Sequence, residues 1–133
     1  MSNVYFRHRP GEAWHLVRRE VGSALEPGKV EDPDFVLRFT PGAARRLRAA
    51  RGGIGEFAAE FFSLVDEQDP EQRVDLRVVA PFSRLRERGY LRLLLDAGPK
   101  AAAYGLRRGI FSIARLGRFV RRARAVPAYE WEV

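Results

Sequence analysis

The pattern of apolar and polar positions is most informative in residues 54–69, IGEFAAEFFSLVDEQD. Apolar side chains recur there at helical spacing and form two adjacent rows: Phe57, Phe61 and Leu64 in one, and Ala58, Phe62 and Val65 in the other. The two rows predict a helix with one wide apolar face. Three phenylalanines within six positions give that face a large apolar area. The face is therefore either part of the protein core or, in part, the wall of a cavity for an apolar ligand.

Alternation of apolar and polar residues predicts strands elsewhere in the chain. In the first third, strands are expected at residues 3–9, 12–20 and 35–39, although residues 12–20 also fit a helix. Residues 22–34 are rich in glycine, proline and acids, which predicts a loop. Residues 72–80 alternate valine and leucine with charged side chains, which predicts a strand with one solvent-exposed face.

A helix is predicted over residues 42–51, directly after the third strand. Thr40 can accept a hydrogen bond as its N-cap, and Pro41 suits the first helical position because proline has no N–H to leave unpaired. Gly52 and Gly53 end this helix.

Two more helices are expected towards the end of the chain. One covers residues 83–98 with Ser83 as its N-cap, and it is apolar almost all round in its second half, which predicts burial on more than one side. The other covers residues 99–125, is rich in arginine and is broken near Gly109. An aromatic and acidic tail, residues 126–133, extends from it.

The order of elements is strands, helices, one strand, then helices. This order predicts an α+β fold with an antiparallel or mixed sheet covered on one face by helices. A length of 133 residues fits a single domain with one core. The N-terminal sequence lacks the apolar region of a signal peptide, no apolar run is long enough to span a membrane, and the chain has no cysteine. We therefore expect a cytoplasmic protein.

The chain carries a formal net charge of +7, and of its 24 basic residues only Lys29 and Lys100 are lysine. Such a charge favours acidic partners: nucleic acid, anionic lipid headgroups or a phosphate-bearing ligand. The arginine-rich helix could lie on an anionic membrane or contact phosphates. Arginine is, however, the usual surface charge throughout this chain, and few aromatic residues alternate with the arginines, so the helix face is interpreted as solvated and nucleic acid is not an expected partner.

No catalytic or metal-binding motif is found in the sequence. His8 and His15 lack the spacing of metal ligands, and no cysteine is available. The acidic cluster in residues 66–71 falls at a helix-to-strand connection and has no partner base. The glycines of residues 52–55 lack the pattern of a phosphate-binding loop. We therefore predict neither catalytic residues nor a metal or other cofactor, and expect the protein not to be an enzyme.

Several strings in the chain resemble the sterol carrier protein 2 family. They are DPDFVLRFTPGAARRL, GEFAAEFFSLV and FSRLRERGYLRLLLDAGPK, with a strand-like run between the last two, and the likeness spans residues 4–121. The string at residues 32–36, DPDFV, matches the one that introduces a strand in that family. The chain departs from the family in residues 73–84, which lack the glycines that bracket the corresponding strand in many members.

This resemblance implies a five-stranded, mostly antiparallel sheet with helices on one face and a hydrophobic tunnel between the layers. It also implies non-enzymatic binding or transfer of an apolar ligand: a fatty acid, acyl-CoA, phospholipid or sterol-like lipid. Such a ligand needs a concave apolar lining with few polar groups. We expect that lining from Phe57, Phe61, Phe62, Val65, Leu91, Leu94, Leu95, Ile110, Ile113 and Leu116, with Arg107 and Arg108 as headgroup or anion contacts.

The two rows of the phenylalanine-rich helix would then have different roles. The row that begins at Phe57 would pack on the sheet, and the row that begins at Ala58 would face the Leu91–Leu95 helix or a ligand between them. Two alternatives stay open: binding of nucleic acid or an anionic membrane surface through the arginine-rich C-terminal helix, and a ligand-free interaction or dimerisation domain. The expected partner is an apolar small molecule, with transient membrane contact at most, and the oligomeric state is left open.

Overall fold

A computed structural model of the chain describes residues 1–20, 23–51, 54–90, 92 and 121–132. Its centre is a five-stranded sheet in the order β3-β2-β1-β4-β5. The strands are β1 Ser2–Phe6, β2 Ala13–Arg18, β3 Ser23–Pro27, β4 Phe35–Phe39 and β5 Val74–Val78. The β1–β4 pair is parallel and the other three pairs are antiparallel. The α+β class and a mixed sheet are thus confirmed.

Strand β3 corrects the sequence prediction, which treated residues 22–34 as a loop. Its composition, SALEP, is poor in residues that favour strands. The strand lies at the edge of the sheet and therefore pairs on one side only. Pro27, which has no backbone N–H to donate, is tolerated at the end of such an edge strand. Pairing with β2 sets its register, with Leu25 directly opposite Leu16.

Helix α1, Pro41–Ala49, begins as its sequence predicts. The Thr40 hydroxyl accepts a hydrogen bond from the N–H of Ala43 at 3.2 Å, and Pro41 occupies the first helical position. The same hydroxyl donates to the carbonyl of Arg73 at 3.2 Å, which ties the start of α1 to the residue before β5.

Helix α2, Ile54–Val65, ends four residues before the predicted limit at residue 69. Helix α3, Phe82–Glu87, has Pro81 rather than Ser83 at its N-cap position and no side-chain cap. Gly89, whose φ is 76°, interrupts the helix predicted over residues 83–98, because this left-handed conformation ends a helix readily. Residues 121–125 are helical, and a short 3₁₀ helix follows at Glu130–Glu132.

The core lies between the sheet and the first two helices. From the helices, Ala43, Leu47 and Leu64 pack against apolar side chains of the sheet, namely Val4, Leu37 and Val74. Helix α1 contacts β4, and α2 contacts β5. A second cluster joins β5 to α3 through Val78, Ala80 and Leu85.

The cap of α1 predicts a measurable loss of stability in Thr40→Ala. Thr40 is buried and makes two hydrogen bonds, so we expect the free energy of unfolding to fall by about 2 kcal/mol in urea titrations. Ser83→Ala is the matched control, because Ser83 is exposed and does not cap α3. Equal losses in the two variants would contradict this role for Thr40.

Candidate functional site

The apolar face of α2 divides into buried and exposed parts. Leu64 is fully buried, while Phe61 and Val65 are half-buried and pack against the core. Phe57 in the first turn remains 46% exposed, so the expected packing of its whole row on the sheet is wrong at that position. Phe62 is half-buried.

A row of aromatic rings links α2 to the middle of the sheet. Phe62 meets Phe61 edge-on with centroids 5.7 Å apart, and Phe61 lies 6.4 Å from Phe39 of β4. Phe39 in turn lies 5.9 Å from Phe6 of β1. These distances are typical of favourable ring pairs. The side of the sheet that faces the helices, called here the helix-side face, therefore carries adjacent aromatic rings on β4 and β1 that continue the row from α2.

The helix-side face continues onto β2 and β3 as an apolar surface. Trp14 pairs with Val4 and packs against the core, and Leu16 points the same way because it lies two residues further along β2. Leu16 is 40% exposed, and its partner Leu25 is 41% exposed. The indole N–H of Trp14 is buried and has no hydrogen-bond partner among the described residues.

Sequence reasoning did not name Trp14, Leu16 or Leu25 as site residues. The alternation of β2 indicated an apolar side for Trp14 and Leu16, but any strand of a core would show it. Leu25 lay in a segment predicted as a loop, so only the pairing with β2 reveals its position.

Most of the predicted lining lies outside the described residues. Phe57, Phe61, Phe62 and Val65 are described. The remaining predicted apolar contacts and both headgroup contacts are not: Leu91, Leu94, Leu95, Ile110, Ile113, Leu116, Arg107 and Arg108.

A cleft of about 420 Å³ opens between the end of α2 and β5, and it is mainly polar. Of the predicted lining residues that the structure describes, only Val65 borders it. Three of the charged side chains that line it are in ion pairs: the Nε of Arg73 lies 2.8 Å from Asp75, and Arg46 lies 3.0 Å from Glu67. This cleft therefore lacks the apolar lining that the resemblance implies.

The opposite face of the sheet also departs from expectation. Asp75 on the predicted solvent-exposed side of β5 is only 7% exposed. Arg38 donates to one of its oxygens from Nε and Nη2, at 2.9 and 2.7 Å, and Arg73 donates to the other. Trp131 lies 5.1 Å from the Arg38 guanidinium and stacks on Tyr129. The face is covered because paired charges and aromatic rings from the tail pack on it.

Glu132 anchors the end of the tail to the same face. Its carboxylate accepts a hydrogen bond from Arg77 at 2.5 Å, and its carbonyl accepts one from Lys29 at 2.7 Å. Burial, together with the nearby Glu132 carboxylate, raises the pKa of Tyr5. The tail thus covers the part of the second face that β1, β4 and β5 form.

A buried carboxylate joins α3 to the start of β4. Asp34 is fully buried and accepts hydrogen bonds from Arg88 at 2.6 and 2.8 Å, from the Tyr90 hydroxyl at 2.8 Å and from the Met1 ammonium at 2.7 Å. Burial acts to raise the pKa of Asp34, but these donors outweigh it and the pKa is lowered. Burial and the Asp34 carboxylate raise the pKa of Tyr90. Both Asp34 oxygens are therefore committed to structural contacts.

The described ranges contain no cluster of three or more side chains placed to hold a metal ion. None of their helices has both the length and the hydrophobicity needed to cross a membrane. Comparison of the chain with family models, curated proteins and solved structures finds no significant match.

Asp34→Asn should lower the free energy of unfolding by about 3 kcal/mol at neutral pH, since it leaves buried donors without their charged partner. The folded pKa of Asp34 lies below its unfolded value, so its contribution is present above about pH 4 and is lost as the pH falls through the folded pKa. The difference in free energy of unfolding between wild type and Asp34→Asn, measured by urea titration, should therefore become smaller as the pH is lowered.

Asp32→Asn is the control for this effect. Asp32 pairs with Arg84 but its side chain is largely exposed, so its loss should change stability much less. If the difference in free energy of unfolding between wild type and Asp34→Asn does not change with pH, the pKa of Asp34 is not lowered in the folded protein.

Proposed function

We propose that the protein binds a ligand with one long apolar chain, such as a fatty acid or an acyl ester, on the helix-side face of the sheet, without converting it chemically. One observation carries the proposal: the cross-strand pair Leu16 and Leu25 stays about two-fifths exposed on the face that forms the core elsewhere. The resemblance to the sterol carrier protein 2 family supports the same class of ligand.

The energetics favour an apolar ligand on this surface. Full burial of a leucine side chain is worth about 2 kcal/mol, so covering the exposed part of each leucine contributes about 1 kcal/mol. Each buried methylene of the ligand contributes about 0.8 kcal/mol. A long chain that crosses from Leu25 towards the aromatic row of Phe6, Phe39 and Phe61 would gain several such contributions.

The orphan indole N–H of Trp14 supports a ligand that also carries an oxygen acceptor. A buried donor without a partner costs free energy, and a carboxyl or ester oxygen would satisfy it. In this proposal Phe61, Phe62 and Val65 line the α2 side, Phe57 lies at the margin, and Arg107 and Arg108 are assigned to the headgroup from the sequence alone.

Leu25→Lys tests the face directly. Leu25 is exposed on an edge strand, where lysine is well tolerated, so the variant should fold. We expect at least a ten-fold weaker affinity for a fluorescent fatty acid, measured by titration, and loss of any lipid that mass spectrometry detects in solvent extracts of the wild type.

Ala24→Lys is the matched control, because it places the same charge on the opposite face of the same strand. Equal affinity in Leu25→Lys and wild type, with both folded by thermal melting, would refute the proposed face. If the wild type binds no fatty acid and Leu25→Lys instead lowers the sedimentation coefficient, the leucine pair belongs to a dimer interface.

Trp14→Phe tests the role of the indole N–H. The variant retains an aromatic ring but loses the donor, so affinity should fall several-fold for a fatty acid and remain unchanged for a hydrocarbon probe without oxygen. An equal loss for both probes would show that Trp14 contributes packing only.

A further inference from the structure

The part of the opposite face that β1, β4 and β5 form, called here the tail-covered face, holds the tail at a ring site and at an anion site. The Trp131 ring lies 5.1 Å from the ring of Tyr5 and 5.1 Å from the guanidinium of Arg38. Tyr5 and Arg38 are directly opposite each other on β1 and β4, so the pairing of these strands builds the ring site. Glu132, the next residue of the tail, contacts Arg77 of β5 at the anion site.

The charge of the tail-covered face is complementary to an acidic segment. Arg38 and Arg73 share the carboxylate of Asp75. Arg77 and Lys29 instead donate to the tail, at 2.5 and 2.7 Å. These cations together exceed the single negative charge of Asp75, so the face carries an excess of positive charge that the acidic tail offsets.

The tail leaves part of the anion site unsatisfied. The ion pair joins one guanidinium nitrogen, the Nη1 of Arg77, to one carboxylate oxygen, the Oε2 of Glu132. The Nε of Arg77 and the Oε1 of Glu132 are both buried and have no hydrogen-bond partner among the described residues. Such buried orphan groups cost free energy. A segment whose acidic group forms two parallel hydrogen bonds with this guanidinium would therefore bind more favourably than the tail does.

The tail is held by side-chain contacts beside an open cleft. Its described residues form a 3₁₀ helix of three residues and add no strand to the sheet. Tyr129 of the tail borders the polar cleft of about 420 Å³ together with Asp75 and Leu76 of β5. Open space therefore lies at the margin of the tail, and a competing segment can reach the tail-covered face from there.

We propose that the tail-covered face is a docking site for a peptide segment of another protein in which an aromatic residue is directly followed by an acidic one, and that the tail is its built-in competitor. The aromatic ring takes the place of Trp131 between Tyr5 and Arg38. The acidic side chain takes the place of Glu132 at Arg77. This site lies on the other face of the sheet from the leucine pair of β2 and β3, so it goes beyond the proposed function and does not require it.

A peptide fits this face better than single-stranded nucleic acid does. Lys29 and the Tyr5 hydroxyl both donate to a main-chain carbonyl, that of Glu132, at 2.7 and 3.5 Å. Single-stranded nucleic acid stacks successive bases on several aromatic side chains. Tyr5 is the one aromatic residue that β1, β4 and β5 direct to this face, since their phenylalanines alternate onto the helix-side face.

Binding of the tail sequence as a separate peptide tests the site. The probe is a fluorescent peptide of residues 126–132, VPAYEWE, blocked at both ends and titrated by anisotropy. Trp131→Ala/Glu132→Gln removes the contacts of the competing tail, so this double variant should bind the peptide at least ten-fold more tightly than wild type. Glu130→Gln is the matched control, because Glu130 is an exposed residue of the same tail, and it should bind as wild type does.

Two altered peptides test the recognised pattern. Peptides that carry Trp131→Ala or Glu132→Gln should each bind the double variant at least ten-fold more weakly than the unaltered peptide. If the double variant does not fold in thermal melting, Glu132→Gln alone opens the ion pair and should raise the affinity of the protein for the unaltered peptide several-fold.

Three results would overturn the proposal. The first is equal affinity of wild type and the double variant for the peptide, or equal affinity of the double variant for the three peptides. The second is binding of the double variant to a single-stranded oligothymidine but not to the peptide, which would assign the face to nucleic acid. The third is a dimer of wild type in sedimentation that the double variant does not form, which would identify the occupant as the tail of a second copy.

A fatty-acid titration separates this docking site from the proposed ligand site. Trp131→Ala/Glu132→Gln should bind the fluorescent fatty acid as wild type does, because the tail and the leucine pair lie on different faces of the sheet. Loss of fatty-acid affinity in this folded variant, without a gain in affinity for the peptide, would show that the tail only supports the sheet and would overturn the docking site.

Discussion

The packing of α1 and α2 onto one half of the sheet is the contact on which the rest of the structure depends. Leu64 and Leu47 bury the apolar side chains of β4, β5 and β1, and the helices are held there by the Thr40 cap and the Arg46–Glu60 ion pair. Because this helix pair contacts β4 and β5, the apolar side of β2 and β3 depends on other elements or on a ligand for cover. The exposed Leu16 and Leu25 are a direct consequence.

The β1, β4 and β5 part of the opposite face is covered by a different kind of interaction. On β4 and β5 this face carries Arg38, Asp75 and Arg77, and burying a single charge would be costly. The cost is reduced because Asp75 accepts from two arginines and Glu132 accepts from Arg77, while Trp131 covers the Arg38 guanidinium. The tail is thereby part of the fold.

The surface chemistry follows from this division. The helix-side face offers apolar area at Leu16 and Leu25 and, among the described residues, the indole N–H of Trp14 as a buried donor without a partner. The outer face of α1 offers charge instead, because its inner face is already committed to the core and Arg46 alone reaches an acidic partner in α2.

Local patterns in the sequence determined most of the elements. The cap and first turn of α1, the position of α2 and strand β4 follow from capping chemistry, helical periodicity and β-branched composition, which act over a few residues. The tertiary structure decided what depends on distant pairing. Strand β3 exists because β2 offers a partner, Asp75 is buried because the tail brings Trp131 over Arg38, and Phe57 is exposed although its spacing matches that of Leu64. Periodicity shows which side chains share a side of an element, but only the packing of neighbouring elements determines which of them water still reaches.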